Sequence, residues 1–299
     1  MDTLGDILRA YIRHAKEDLG ENTAYVYELT INAHLMEPFG KMRNGQLTTA
    51  KLQAYREKRK AEGDKDSTIN RELSYLRAAM RLQAKQGRSL TIPWFPITNE
   101  DGNARQGYQE EPNFLRFLSA LIDDLKPFAC CAYYGGMRRG ELVKLELRDI
   151  DVERRFIVVR FGKYGDSRSV PIYDGPMLQW LQWLWEHRQP SQVKAFVFSD
   201  GRPVTLRNFY AHWHAAAKTS GVGYFIPHDG RRSSNRRLSR EGVPQALRMK
   251  VHGWKTPDMD RRYGVVDTAD AEAVRILMDT RRTTAKTTAS AKSLPEKEP

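Results

Sequence analysis

The chain has 299 residues, and its 49 Lys and Arg against 37 Asp and Glu give a formal net charge of +12. This balance favours a polyanionic partner, because a basic surface releases counterions from nucleic acid and steers association. The length suits one large or two ordinary domains. No apolar run approaches the roughly 20 residues of a membrane span and the start lacks a signal-peptide pattern, so the expectation excludes membrane insertion and secretion. The two cysteines, Cys130 and Cys131, are adjacent in an apolar run. That rules out a disulfide between distant segments and suits a reducing, cytoplasmic and nucleoid-associated setting.

The first hundred residues read as helices alone. Leu4, Ile7, Leu8, Tyr11 and Ile12 recur at helical spacing behind a Thr3 N-cap. Tyr25, Leu29 and Ala33 mark a second helix, and Leu52 and Tyr55 a third that Thr48 or Thr49 opens. Ile69, Leu73, Leu76 and Met80 mark a fourth after Asp66-Ser67, and four such helices close a small bundle. Arg71, Arg77 and Arg81 recur on the fourth helix, as DNA-phosphate contacts or as a solvated charged face. Gly87 ends that helix. Residues 91–107 then mix Pro, Gly, Asn and Asp without sustained periodicity, as a linker does, with the domain boundary near Asn103.

Beyond the linker the pattern is mixed. Helical spacing covers 111–125 and 127–134, and short strands run from Phe156 to Phe161 and from Ser169 to Ile172, with Lys163 in the turn between them. Met177, Leu178, Leu181, Leu184 and Trp185 follow helical spacing, so the cluster of Trp180, Trp183 and Trp185 is expected to pack rather than to stack on bases. Leu206 to Thr219 reads as a helix capped by Thr205. The expected fold is mainly α with a small β-sheet in the second domain, an α+β arrangement. Residues 1–103 form a helical domain, 104–280 a mixed α+β domain, and 281–299 a tail with too little to bury to be ordered.

Several residues suit phosphodiester chemistry. A pentavalent phosphoryl transition state is more anionic at its nonbridging oxygens than the ground state, and arginine meets that charge with a planar, permanently charged fork. Arg138 opens a helix after Gly135-Gly136, and His228 and Arg231 share a face if their segment is helical. Tyr263 follows two arginines and is a candidate nucleophile. Its phenol, with a pKa of about 10, costs on the order of 4 kcal/mol to ionise at pH 7 unless a base or cations help. His228 is the candidate base, and the ammonium of Lys163 is suited to protonating a departing sugar oxygen. His212 and His214 lack further ligands to complete a metal site, and Asp149, Asp151, Asp258 and Asp260 read as turn and helix-cap groups. His252, two residues before Trp254, is harder to assign to simple packing. GKYGDS is not a Walker loop, so neither a cofactor nor a metal is expected.

Four segments, YYGGMRRGELVKLELRDID, RFGKYGDSRSVPI, PHDGRR and HGWKTPDMDRRY, resemble the arginine box, the β-hairpin, the His-x-x-Arg box and the tyrosine box of the tyrosine recombinase (phage integrase) family. The resemblance implies Arg138, Lys163, His228, Arg231, Trp254 and Tyr263 as catalytic residues, with Glu141 in the supporting acidic position. Gly135 stands where the family commonly has a small hydroxyl residue, and Gly230 where it has an apolar one. The family's Cre- and Xer-like two-domain organisation implies an N-terminal core-site-binding domain and a catalytic domain. It also implies strand cutting and rejoining on double-stranded DNA through a 3′-phosphotyrosyl intermediate, by a homotetramer on two sites, with accessory DNA-bending proteins in some systems. A C-terminal helix carrying Ala273, Val274 and Leu277 would dock on a neighbouring subunit or on its own. The alternatives are a type IB-like topoisomerase acting on one duplex and a catalytically silent DNA-binding protein.

Overall fold

The computed structural model describes residues 3–99, 107–160 and 167–263, the side chains of 261–263 excepted. The chain divides into two compact units, Met1–Arg105 and Gln106–Pro299. The described residues are mainly helical, with one small antiparallel sheet.

In the first unit, α1 (Leu4–Asp18) begins at a reciprocal cap. The Thr3 N–H donates to Asp6 Oδ2 at 2.9 Å, and the Asp6 N–H donates to Thr3 Oγ1 at 3.2 Å, which satisfies two of the orphan donors of a helix start. Helices α2 (Glu21–Thr30), α3 (Met36–Phe39), α4 (Thr49–Ala61) and α5 (Asp66–Lys85) follow. Thr48 caps α4 by accepting the Lys51 N–H at 3.3 Å. The core joins Leu4, Ile7 and Leu8 of α1 to Leu73 and Leu76 of α5.

The apolar stripe expected on α2 is a correction. Tyr25 and Leu29 are 62% and 57% exposed, and the inward side chains are Ala24, Ile31 and Leu35. Ala24, Ile31 and Leu35 follow ordinary helical spacing (i, i+7, i+11), so the inward stripe is the one next to Tyr25 and Leu29, out of phase with them by one residue. Arg71 and Arg81 are exposed on α5 and Arg77 is half-buried. Arg77 and Arg81 share a face, and Arg71 projects from another side.

The second unit opens with α6 (Glu111–Ala120) and α7 (Lys126–Tyr133). The continuous helix expected over 111–125 is interrupted, because Leu121 and Ile122 are extended before a 3₁₀ turn at Asp123–Leu125. A short α8 (Arg139–Leu142) leads to β1 (Ile150–Asp151), β2 (Phe156–Val159) and β3 (Arg168–Pro171), in the antiparallel order β1-β2-β3. Ile157 faces Val170 and Val159 faces Arg168. Ile157, Val159 and Val170 point into the core, as the two-residue period of a strand requires. The sequence reading did not contain β1, which at two residues is too short for alternation to show.

Helices α9 (Pro176–Glu186), α10 (Tyr210–Thr219), α11 (Pro227–Arg240), α12 (Gln245–His252) and α13 (Pro257–Tyr263) complete the unit. Trp180 and Trp183 pack against the core, while Trp185 stays exposed beneath the Arg188 guanidinium. The helix expected from Leu206 starts at Tyr210 instead. Thr205 closes a separate turn, its N–H donating to Asn208 Oδ1 at 2.8 Å and its Oγ1 accepting the Asn208 N–H at 3.2 Å. Helix α7 is buried along its length and α11 lies on it. Gly230 makes that approach possible, since a Cβ there would lie 2.9 Å from the Ala132 carbonyl oxygen.

Candidate active site

The site is built where the turn before α8, the start of α11 and the end of α12 converge. Gly136 takes a left-handed conformation with φ +58° and turns the chain so that Arg138 becomes the N-cap of α8. The Arg138 N–H donates to Glu141 Oε2 and its Nη1 to Oε1, both at 2.8 Å, and its Nη2 donates to the Gly253 carbonyl at 3.2 Å. The Glu141 carboxyl is buried, which by itself raises its pKa. The guanidiniums of Arg168 and Arg138 outweigh burial and hold the group below the usual carboxylate value.

His228 and Arg231 lie in the first turns of α11, which Asp229 closes by accepting the Ile226 N–H at 3.1 Å. Arg231 is 1% exposed. Its Nη1 donates to the Gly136 carbonyl at 2.6 Å, its Nη2 donates to the His252 carbonyl, and its guanidinium lies over the Trp254 ring at 5.0 Å. This one fork therefore ties the turn before Arg138 to the end of α12.

Trp254 is set by the way α12 ends. Gly253 is left-handed at φ +62°. The N–H of Gly253 donates to the Lys250 carbonyl at 3.1 Å and that of Trp254 to the Met249 carbonyl at 2.9 Å, the two bonds of a Schellman turn. The indole is buried and stacks on His252, with centroids 4.4 Å apart and ring planes 12° from parallel. Gly136 leaves room for that imidazole, since a Cβ there would lie 2.5 Å from His252 Nε2.

Helix α13 ends at Tyr263. It is fastened to α12 by Asp260, which is buried and accepts from Gln245 Nε2 at 2.9 Å and Arg248 Nη2 at 3.0 Å. Asp260 lies in the first turn of α13, as a helix-start group would, and is in addition a buried ion-pair partner that the sequence reading did not contain. The Tyr263 side chain and all of Lys163 lie outside the described residues, as do Asn103 and the segment with Ala273, Val274 and Leu277. The structure thus brings together Arg138, Glu141, Arg231 and Trp254, with His228 close enough for its pKa to respond to Arg232, Arg231 and Arg138.

Both histidines of the site are held neutral. Desolvation, then the charges of Arg232 and Arg231, lowers the His228 pKa below 6.5. Desolvation, then Arg231, lowers that of His252 well below 6.5. His252 Nδ1 lies 2.8 Å from the Arg248 carbonyl and so carries the proton, leaving Nε2 to face Ser234 Oγ at 3.2 Å. A depressed folded-state pKa means that the unfolded chain binds protons first as pH falls. Stability from His252 is therefore complete above about pH 6.5 and is lost below it at about 1.4 kcal/mol per pH unit. Urea midpoints at pH 7.5 and 5.5 should show this loss, and His252→Leu should flatten it. An equal loss in that variant would contradict the assignment.

Sequence reasoning missed Arg168. Its side chain is buried, its Nε donates to the Val251 carbonyl at 2.8 Å, and its two Nη atoms grip Glu141. Its signal would have been a charged residue in a strand whose neighbours alternate toward a core. A mainly apolar cavity of about 660 Å³ opens beside Arg138, Arg168 and Trp254, with Tyr173, Leu238 and Leu247 in its wall. Among the described residues no group of His, Cys, Asp and Glu could hold a metal ion, and no helix is long and apolar enough to cross a membrane.

This fold and arrangement are those of an integrase-type protein. The phage integrase family profile matches residues 111–269, and that of the phage integrase N-terminal SAM-like domain matches 3–59. The chain belongs to the phage integrase family. It is 25% identical over 200 residues to the integrase of Salmonella phage P22, covering 64% of this chain and 52% of that protein. It is also 25% identical over 190 residues to tyrosine recombinase XerC of Staphylococcus haemolyticus (strain JCSC1435), covering 60% and 64%. The chain thus spans between about half and two thirds of the length of these curated relatives. In fold it is similar to the Tn1549 transposon integrase (aa 82–397) in complex with circular intermediate DNA. That match has a TM-score of 0.76 at 19% identity and covers 93% of this chain and 99% of that one. A lambda integrase tetramer bound to a Holliday junction aligns with a TM-score of 0.72 at 18% identity, covering 88% and 77%.

Proposed function

We propose that the protein is a site-specific DNA recombinase of the integrase type, which cuts and rejoins strands through a 3′-phosphotyrosyl intermediate. The observation that carries this reading is the convergence of the two guanidiniums of Arg138 and Arg231 with the Trp254 indole, beside the helix that ends at Tyr263. Tyr263 attacks the scissile phosphorus. The bond to its phenol oxygen forms and the bond to the 5′ oxygen breaks. His228, neutral at pH 7, takes the phenol proton, and Lys163 protonates the leaving 5′ oxygen. Arg138 and Arg231 face the charge that grows on the nonbridging oxygens. Each Nη of Arg231 has a second hydrogen, so the fork can hold its two carbonyls and still donate to phosphate. The Trp254 indole N–H donates to the same phosphate. A 5′-hydroxyl of the partner strand then attacks the phosphotyrosyl bond, so the phosphodiester energy is conserved.

In this reading residues 1–103 are the core-site-binding domain, with Arg71, Arg77 and Arg81 on DNA phosphates, and residues 104–280 the catalytic domain. The working assembly is a homotetramer on two DNA sites in the cytoplasm, at the nucleoid. The solved relatives, one with circular intermediate DNA and one a tetramer on a Holliday junction, support a DNA partner and this assembly.

The test is trapping on nicked suicide duplexes that carry candidate sites from the flanking genomic DNA. A protein–DNA adduct at a 3′-phosphate, stable on a denaturing gel, is the expected result. Salt-sensitive binding without any adduct across a pool of such sites would favour a silent DNA-binding protein. Arg138→Ala is expected to slow single-turnover adduct formation about 10²–10³-fold, the usual cost of removing one donor to developing charge. Cleavage at the wild-type rate would remove Arg138 from the chemistry.

A further inference from the structure

We propose that Arg168 is a positioning residue for the reaction, which keeps the charge of Arg138 available to phosphate by neutralising Glu141; this rests on the recombinase reading above. Three observations lead to it. Every nitrogen of Arg168 is engaged inside the protein, with Nε on the Val251 carbonyl at 2.8 Å, Nη1 on Glu141 Oε1 at 2.9 Å and Nη2 on Oε2 at 2.7 Å. Its charge is committed as a fork to the Glu141 carboxylate, whereas Arg231 donates to the neutral carbonyls of Gly136 and His252, so Arg168 acts through its partners and not on DNA. Glu141 is shared, because each of its oxygens also accepts from Arg138, one from Nη1 and one from the backbone N–H.

The charge arithmetic gives the shared carboxylate its meaning. Two guanidiniums around one carboxylate leave a net charge of +1, and the outward-facing member of the three is Arg138, with 21% of its side chain exposed. Without Arg168, the buried Glu141 would have Arg138 as its neutralising cation. A carboxylate in a low-dielectric site would hold that guanidinium by a paired, forked contact. The net charge facing the phosphate would fall to zero, and Arg138 would lose the orientation that its bond to the Gly253 carbonyl fixes. The same side chain grips the end of α12 through Val251, so β3, α8 and the Trp254 turn are held in one frame.

The experiment is a mutant cycle in single-turnover adduct formation at saturating protein, with DNA affinity and melting temperature read on the same samples. Arg168→Gln should slow the reaction about 100-fold, the cost of a misplaced charge-stabilising group. Adding Glu141→Gln to it should recover about tenfold or more, the size of coupling within one ionic network. In an Arg138→Ala background, Arg168→Gln should cost no more than about twofold. A residue that only supports the fold would show neither the recovery nor the insensitivity. Arg168→Lys retains the charge without the fork and keeps the cycle readable if the glutamine variant melts early. A double variant as slow as Arg168→Gln, or full multiplication of effects in the Arg138→Ala background, would overturn the proposal while wild-type adduct forms. Wild type without adduct would overturn the recombinase reading and this inference with it.

Discussion

Tyr263→Phe is expected to abolish the covalent protein–DNA adduct, with DNA affinity unchanged within about twofold, as for a substitution that removes one polar atom. The phenylalanine keeps the ring on α13 and deletes the phenol oxygen proposed to bond phosphorus. The buried thiols and phenols of the second unit are poor competitors. Burial pushes the thiols of Cys130 and Cys131 up, so neither forms thiolate near pH 7. Tyr133 and Tyr134 are raised by burial, and Tyr134 further by its hydrogen bond to Glu111. Tyr173 lines the cavity beside Arg138, yet burial raises its phenol despite Arg237 nearby. Tyr263 has in its favour its place at the end of a helix that Asp260 fastens to α12 through Arg248. Suicide-substrate gels of wild type and variant, run with binding titrations at fixed salt, check this. An adduct surviving in Tyr263→Phe would move the nucleophile elsewhere, and peptide mapping of the adduct would say where.

Gly230→Leu, which places an apolar side chain inside the His-x-x-Arg segment, is expected to destabilise the second unit by about 3 kcal/mol or more, at or above the usual range for overpacking. The reason is specific to this chain. A Cβ at Gly230 would lie 2.9 Å from the Ala132 carbonyl oxygen, 3.0 Å from its carbon and 3.2 Å from the Tyr133 Cα. These are backbone atoms of a fully buried helix, which cannot turn aside as a side-chain end can. Relief would require α11 to move off α7, carrying His228 and Arg231 away from the Gly136 carbonyl and Trp254. Melting should fall by roughly 6–12 °C, at about 2–4 °C per kcal/mol for a unit of this size. Adduct formation should fall with it. Gly230→Ala should do the same on a smaller scale, and an unchanged melting temperature in the leucine variant would mean that α11 and α7 pack less closely than the structure has them.

Much of the site was legible in the sequence because its signals are local. His228 and Arg231 are three residues apart on α11 and Arg138 follows a glycine pair that makes a turn, whereas Trp254 was named only by the resemblance of its segment. The helical first unit and the mixed second unit were legible for the same reason, since apolar spacing reports the local period of the backbone. Failures came where local spacing left two stripes open or was interrupted by a turn. On α2 both the Tyr25–Leu29 stripe and the Ala24–Ile31 stripe fit a helix and packing chose the second, and the Thr205–Asn208 turn delayed α10 to Tyr210.

The sequence by itself determined which groups are available: a strongly basic chain, the arginines, histidine, tryptophan and tyrosine of four segments, and the helices and strands that carry them. Only the tertiary structure decided how those groups are held. Arg138 reaches a carbonyl 115 residues away at Gly253, Arg231 one 95 residues away at Gly136, and Arg168 pairs with Glu141 across 27 residues. Such pairings have no period along the chain. They arise when packing removes water from a charge and leaves a carbonyl or carboxylate as the nearest group that can satisfy it.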